Sequence, residues 1–403
     1  MAHSTPPSPM STLDATSPVI VHVFGRTDVG RTREHNEDAF VVADLTRGNA
    51  TLQPEVRTHV VGDRGTLFMV ADGMGGAAAG EIASAMAIEV VMRELTTALG
   101  RAAPPTPEEF ATAMKQATAA ANAQIHAFAL EHPEFRGMGT TATVAGVLGS
   151  TVFLAQVGDS RAYLVRDGVG RQITKDQSLI QKLVEAGEIT EEEAELSERR
   201  NIILQALGPE ASIKVDLTHQ QVRRGDVLVL CSDGLSGQVR PDEITQIVSE
   251  EQDLVSACKR MIDRANENGG PDNITVIAAR FDGAGLAHPA EADAVGHAVY
   301  PLANDPLHTP AAPMETIALA VTGEMPVIPR STKELPPEAL LLMPSLPGER
   351  TATAAARRSR GAFVALLLLL VFLAVAFWGV YRSAERVVAP RHAGTPAPAG
   401  ALP

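Results

Sequence analysis

Cysteine is nearly absent from this 403-residue chain: Cys231 and Cys258 stand alone, with no C-x-x-C spacing. That excludes a disulfide framework and a thiolate zinc site, and it fits a reducing compartment. Aromatic residues are scarce at 4%, which argues against platforms for stacking bases. Positive charge is in deficit, with 34 Lys and Arg against 48 Asp and Glu and a net charge of −14. No long-range attraction draws such a chain to nucleic acid. There is no G-x-G-x-x-G, G-x-S-x-G or H-E-x-x-H, so a Rossmann dinucleotide site, a nucleophile elbow and a zincin helix are not supported. Residues 1–17 are rich in Ser, Thr and Pro and lack the basic start and apolar run of a secretory signal. They read as a disordered lead.

What is present is a globular core. Hydrophobic residues make up 45% and charged residues 20%, which excludes wholesale disorder. Short strands are predicted at Val19–Phe24, Ala39–Ala43 and Thr66–Ala71, and helices at Glu81–Leu99 and Pro107–Leu130. Three apolar runs follow at Thr141–Leu148, Thr151–Val157 and Arg161–Val165. Helices are predicted at Asp176–Ala186, Glu191–Leu196, Asp242–Val248 and Gln252–Ala265, and strands at Val227–Cys231 and Ile274–Phe281. Strand clusters interrupted by helix pairs imply antiparallel sheet covered by helices, an α+β fold over residues 18–283.

Beyond it the composition changes. Eleven of the chain's 27 prolines fall in residues 284–349 without a period, so residues 284–356 read as a linker. Gly361–Tyr381 then gives 21 residues without a charge, about 31 Å as a helix and enough to cross a bilayer core. Trp378 and Tyr381 sit at its far end, and arginines flank both sides. Residues 357–382 are therefore expected to be one transmembrane helix with its flanks, and residues 383–403 a tail too short for a receptor domain. The arginine bias, heavier on the N-terminal side, favours a cytoplasmic location for the large N-terminal part.

Aspartate recurs in short glycine-flanked turns that follow apolar runs: Asp72-Gly73 after Phe68–Ala71, Gly158-Asp159 after Val157, and Asp233-Gly234 after Leu228–Cys231. Asp272 follows Gly269-Gly270-Pro271 and leads into a strand, and Glu37-Asp38 stand just before another. Hard divalent cations take carboxylate, carbonyl and water oxygens. A glycine beside an aspartate lets the backbone come close enough for its carbonyl to join them. Converging carboxylates repel one another until cations neutralise them, and two cations a few ångströms apart generate a hydroxide nucleophile. A single Asp-Gly after a strand is usually only a turn; four in one domain are harder to dismiss.

Seven stretches in this order resemble the metal-dependent Ser/Thr protein phosphatases of the PP2C type (the PPM family) in their bacterial form. They are Thr27–Asp38 (TDVGRTREHNED), Val70–Gly76 (VADGMGG), Met138–Thr143 (MGTTAT), Val157–Tyr163 (VGDSRAY), Thr174–Leu179 (TKDQSL), Ser232–Leu235 (SDGL) and Pro271–Thr275 (PDNIT). The resemblance implies a four-layer αββα sandwich with metals in a cleft at one end. It implies Mn²⁺ or Mg²⁺, two per active site. Asp72 would bridge them, with the Gly73 carbonyl and Glu37 on one ion and Asp233 and Asp272 on the other. Asp159 with Asp233 would serve a third, weaker site. Asp38 would orient water, and Arg33 would bind the substrate phosphate, with Arg31 a nearby competitor. A metal-bridging hydroxide would then attack phosphorus in line, without a phosphoenzyme. The substrates implied are phosphoserine and phosphothreonine in proteins, the targets of Ser/Thr kinases and the kinases themselves. With the apolar span, the expectation is a single-pass cell (inner) membrane phosphatase facing the cytoplasm.

Two positions depart from the pattern. Met74 stands where animal members often carry His, as bacterial members commonly have it, and it cannot protonate a leaving group. Gln177 replaces the usual His of Asp-His-Ser. Residues 180–208 match the family's flap, readable either as a solvated hairpin or as a lid that selects substrate. The alternative to an enzyme is a catalytically inactive phosphoprotein-binding scaffold. It predicts a missing metal carboxylate, whereas Glu37, Asp72, Asp233 and Asp272 are all in place.

Overall fold

The structure, a computed structural model, describes residues 17–48, 58–100, 103–190, 193–194, 197, 202–290 and 293–302. Among them the elements run β1 (Ile20–Asp28), β2 (Ala39–Asp44), β3 (Thr58–Val60), β4 (Thr66–Ala71), β5 (Gly73–Met74), α1 (Ala77–Leu99), α2 (Pro107–Glu131), β6 (Gly139–Thr140), β7 (Ala142–Leu148), β8 (Thr151–Val157), β9 (Arg161–Arg166) and β10 (Val169–Gln172). Then come α3 (Leu179–Glu185), β11 (Asp216–Gln221), β12 (Val227–Cys231), α4 (Asp233–Ser236), α5 (Pro241–Glu250), α6 (Leu254–Glu267) and β13 (Ile274–Asp282).

The strands form a six-stranded sheet, β10-β9-β12-β13-β1-β3, and a five-stranded sheet, β11-β8-β7-β4-β2, with every pair antiparallel. Central strands are buried on both faces, and strict alternation sorts their side chains between two cores. On β4, Phe68 and Val70 face the core between the sheets, while Leu67, Met69 and Ala71 pack under α1 and α2. On β12, Leu228 and Leu230 face the same inter-sheet core, while Val227, Val229 and Cys231 lie under α5 and α6. The layers are therefore helix, sheet, sheet, helix, the αββα order expected.

Helix ends follow local chemistry. Thr106 Oγ1 accepts from the Glu109 N–H at 3.2 Å, and the Glu109 carboxylate accepts from the Thr106 N–H at 2.8 Å. This capping box, with Pro107 in the first helical position, fixes the start of α2. α1 starts at Ala77, four residues before the apolar periodicity predicts, because Gly76 takes a φ of 92° that turns the chain into it.

The structure adds two features to the sequence reading. β11, sequence DLTHQQ, is too polar to be read as a strand, yet it pairs with β8 over six residues. The linker expected from residue 284 begins later at its near end. Residues 284–290 and 293–302 form a strap across the sandwich, with Leu286 only 1% exposed. His219 N–H donates to Ala298 O at 2.9 Å, Tyr300 N–H donates to Leu217 O at 2.9 Å, and the Tyr300 ring lies 5.2 Å from that of Phe153. Among the described residues no helix is long and apolar enough to cross a membrane. The span expected at Gly361–Tyr381, most of the linker, the lead and the tail lie outside the described residues, as does much of residues 191–201.

Candidate active site

Antiparallel pairing brings the acidic turns to one end of the sandwich. β2 begins at Ala39 opposite Ala71, so Asp38 before it and Asp72 after β4 are neighbours. β12 ends at Cys231 opposite Val276, so Asp233 and Asp272 meet in the same way. Asp159 lies in the turn from β8 to β9 at that end, and the β1–β2 loop carries Arg33 and Glu37 there. All eight site residues expected from the sequence share this end.

The two halves are tied across the sheets. Ser232 Oγ donates to Asp38 Oδ2 at 2.8 Å and accepts from the Thr275 N–H at 3.0 Å. The Asp233 and Asp72 carboxyls lie close enough across the seam to act on each other's charge. The Asn273 carboxamide accepts from the Glu37 N–H at 2.8 Å and donates to Val29 O and His35 O, clamping the β1–β2 loop onto β13. Asp72 is held at both backbone groups, its N–H by Thr141 Oγ1 at 3.0 Å and its carbonyl by Thr140 Oγ1 at 2.9 Å. Gly73 pairs with Thr140 in the β5–β6 ladder. A Cβ there would come within 2.3 Å of Gly80 O, and one on Gly80 within 2.0 Å of Glu37 Oε2. The Glu37 carboxylate thus lies in a notch that α1 leaves by lacking a side chain.

Burial and mutual repulsion govern the electrostatics. Desolvation, then the charges of Asp38, Asp233, Asp159 and Asp272, pushes the Asp72 carboxyl well above the usual carboxylate range. Desolvation pushes Asp38 to about 7 against the stabilising bonds of Thr275 and Ser232. Asp159 also rises to about 7, from desolvation and then the neighbouring Asp233. Asp233 is raised by burial and by Asp272, and Glu37 chiefly by burial. Arg33 Nη2 meets Asp272 Oδ2 at 2.8 Å, with the Arg33 side chain 49% exposed. Arg31 instead holds the loop through its backbone, its N–H on Gly270 O at 2.7 Å; of the two candidates, Arg33 reaches the acids.

The residues fit hard divalent cations. Every side-chain donor is oxygen, and among the described residues the buried Oδ1 atoms of Asp38 and Asp159 have no hydrogen-bond partner. A buried carboxylate oxygen without a donor is costly unless something positive meets it. Among the described residues no three His, Cys, Asp or Glu side chains stand grouped closely enough to hold a metal ion as they are; Asp38 is turned to Ser232 and Asp272 to Arg33 instead. Gly80, Ser232, Asn273 and Thr141 shape this site and escape sequence reasoning about roles. The last three lie inside the matched motifs, which was their one available signal.

A profile of the family described as protein phosphatase 2C matches residues 47–277. The serine/threonine phosphatase stp of Listeria monocytogenes is 38% identical over 265 residues, covering 65% of this chain and 96% of that protein. The crystal structure of the Mycobacterium tuberculosis serine/threonine phosphatase PstP/Ppp superposes with a TM-score of 0.55 at 34% identity, over 67% of this chain and 100% of that one. The catalytic domain of PstP in complex with two manganese ions superposes with a TM-score of 0.54 at 34% identity, over 66% of this chain and 99% of that one.

Proposed function

This chain belongs to the protein phosphatase 2C family of metal-dependent serine/threonine protein phosphatases, and we propose the following division of labour in its cleft. Asp72, the Gly73 carbonyl, Glu37, Asp233 and Asp272 hold two divalent cations, and Asp159 with Asp233 holds a third. Bound there, Mn²⁺ or Mg²⁺ supplies Lewis acidity toward phosphoryl oxygens and lowers the pKa of water. Arg33, half exposed, exchanges Asp272 for the phosphate of the substrate, a dianion that suits its planar fork. Asp38 keeps Oδ2 on Ser232 and offers Oδ1 to water. The observation that carries this reading is the meeting of Asp38, Asp72, Asp159, Asp233 and Asp272 at one end of both sheets, with two of their buried oxygens unpartnered among the described residues.

The proposal extends to location. The uncharged run Gly361–Tyr381 and its flanking arginines support a tether in the cell membrane with the phosphatase part cytoplasmic, within reach of proteins modified by Ser/Thr kinases and of the kinases. Full-length chain should stay in the membrane fraction after an alkaline wash, and chain ending at residue 302 should not. The catalytic test is phosphate release from a phosphothreonine peptide by full-length chain with Mn²⁺ and with EDTA, beside Asp72→Asn. Release that needs Mn²⁺ and is lost in the variant is expected. Folded, metal-loaded wild type that releases none would overturn the enzymatic reading and leave a phosphoprotein-binding scaffold.

A further inference from the structure

Lysine is rare in this chain, with six residues against 28 arginines. Four of the six, Lys115, Lys175, Lys182 and Lys214, line one cavity of about 330 Å³. They come from four places in the chain: α2, the turn after β10, α3 and the segment before β11. The strap closes the cavity with His297 and Tyr300. Three acids lie among the lysines. Glu185 is shared between Lys175 at 3.3 Å and Lys182 at 2.8 Å. Asp216 meets Lys214 at 3.1 Å and the Gln177 amide at 3.0 Å. Asp176 is taken up by Arg161 at 2.7 Å. One carboxylate divided between two ammonium groups leaves positive charge uncompensated. Thr218, only 3% exposed, lines the same cavity, and among the described residues its Oγ1 has no hydrogen-bond partner. A buried hydroxyl in that state is stabilised by an incoming oxygen acceptor.

We propose that this cavity is a second phosphate-binding site, separate from Arg33 and the carboxylate cleft, which takes inorganic phosphate or a phosphate monoester. Lysine suits the task, since its compact charge on a flexible stem can leave Glu185 or Asp216 and turn to an anion. The side chains of Lys182 and Lys214 are each 62% exposed and free to make that turn. Hydrogen bonds through Gln177 link the cavity to the cleft. Gln177 donates to Asp216 and, through Oε1, accepts from the Gly158 N–H at 3.0 Å, one residue before Asp159. An anion that draws Lys214 from Asp216 therefore acts two hydrogen bonds away from the catalytic acids. Its source is either the reaction's own product or a second phosphate on the same substrate protein.

The test uses full-length chain in mild detergent. Calorimetric titration with inorganic phosphate in EDTA keeps divalent cations out of the cleft, so this arm does not depend on the catalytic reading. Uptake is expected in wild type and in Arg33→Ala. In the Lys182→Gln/Lys214→Gln double variant it should weaken roughly tenfold or more. The second arm compares KM, with Mn²⁺, for a phosphothreonine peptide with and without a non-hydrolysable phosphonate several residues away. A lower KM for the phosphonate peptide, lost in the double variant at unchanged kcat, assigns the site to phosphoproteins. Phosphate uptake with equal KM values assigns it to free phosphate. No uptake by wild type together with equal KM values overturns the proposal, as does uptake unchanged in the folded double variant. Should the double variant fail to fold, Lys115→Gln takes its place.

Discussion

In the proposed metal site Asp233 would carry opposed demands: its carboxyl would have to stay charged to hold a cation, yet it is desolvated beside Asp72 and Asp272. Asp233→Asn keeps the shape and removes one repelling charge. Phosphate release should fall by about 10²-fold or more, while the EDTA-treated variant should melt a few degrees higher than EDTA-treated wild type. A variant that is both inactive and less stable would mean that Asp233 is held for packing. Asp38 and Asp159 give a second prediction. Their carboxyls are raised to about 7, above the ordinary value of about 4 expected in the unfolded chain. Between those values the folded state binds more protons, so their contribution is fully present below about pH 4 and is lost as pH rises through about 7. Unfolding of EDTA-treated chain by urea should therefore become easier from about pH 5 to about pH 8; a flat or rising profile would contradict it. The aspartates themselves were legible because each ends or begins an apolar run, beside a glycine or another acid, or, for Asp272, just after Gly269-Gly270-Pro271. The role of Ser232, which bonds Asp38 across 194 residues of chain, was not, because nothing local distinguishes it from any turn serine.

At the scale of elements, the notch in α1 is the sharpest constraint. Gly80→Ala should strengthen the helix by up to about 1 kcal/mol in propensity while setting a Cβ against Glu37 Oε2. The Mn²⁺ concentration for half-maximal activity should rise roughly tenfold or more, with helical circular dichroism unchanged. Activity that saturates at the wild-type Mn²⁺ concentration would remove Glu37 from the metal site. Strands buried on both faces were readable because their side chains serve two cores and so form continuous apolar runs, as in Thr66–Ala71 and Val227–Cys231. β11 was not, because it lies at a sheet edge and its Asp216, His219 and Gln221 are at most partly buried. Pairing with β8 makes it a strand, and that partner lies some sixty residues away.

On the scale of the molecule, the strap makes the folded unit longer than the proline count implied. Chain ending at residue 283 loses Leu286 from the inter-sheet core and Tyr300 from Phe153. At about 2 kcal/mol for one buried apolar side chain, it should melt several degrees below chain ending at residue 302; equal melting temperatures would make the strap a passive cover. The cleft has a wider consequence. Asp38 and Asp72 hang from the five-stranded sheet, Asp233 and Asp272 from the six-stranded one, so any ion held by both closes the seam between the sheets. Unfolding must then release that ion, and mass action sets the price: each tenfold rise in free cation above its dissociation constant adds about 1.4 kcal/mol per site to stability. A cell short of divalent cations would lose first the phosphatase's turnover and then, through proteolysis of opened sandwiches, the phosphatase itself.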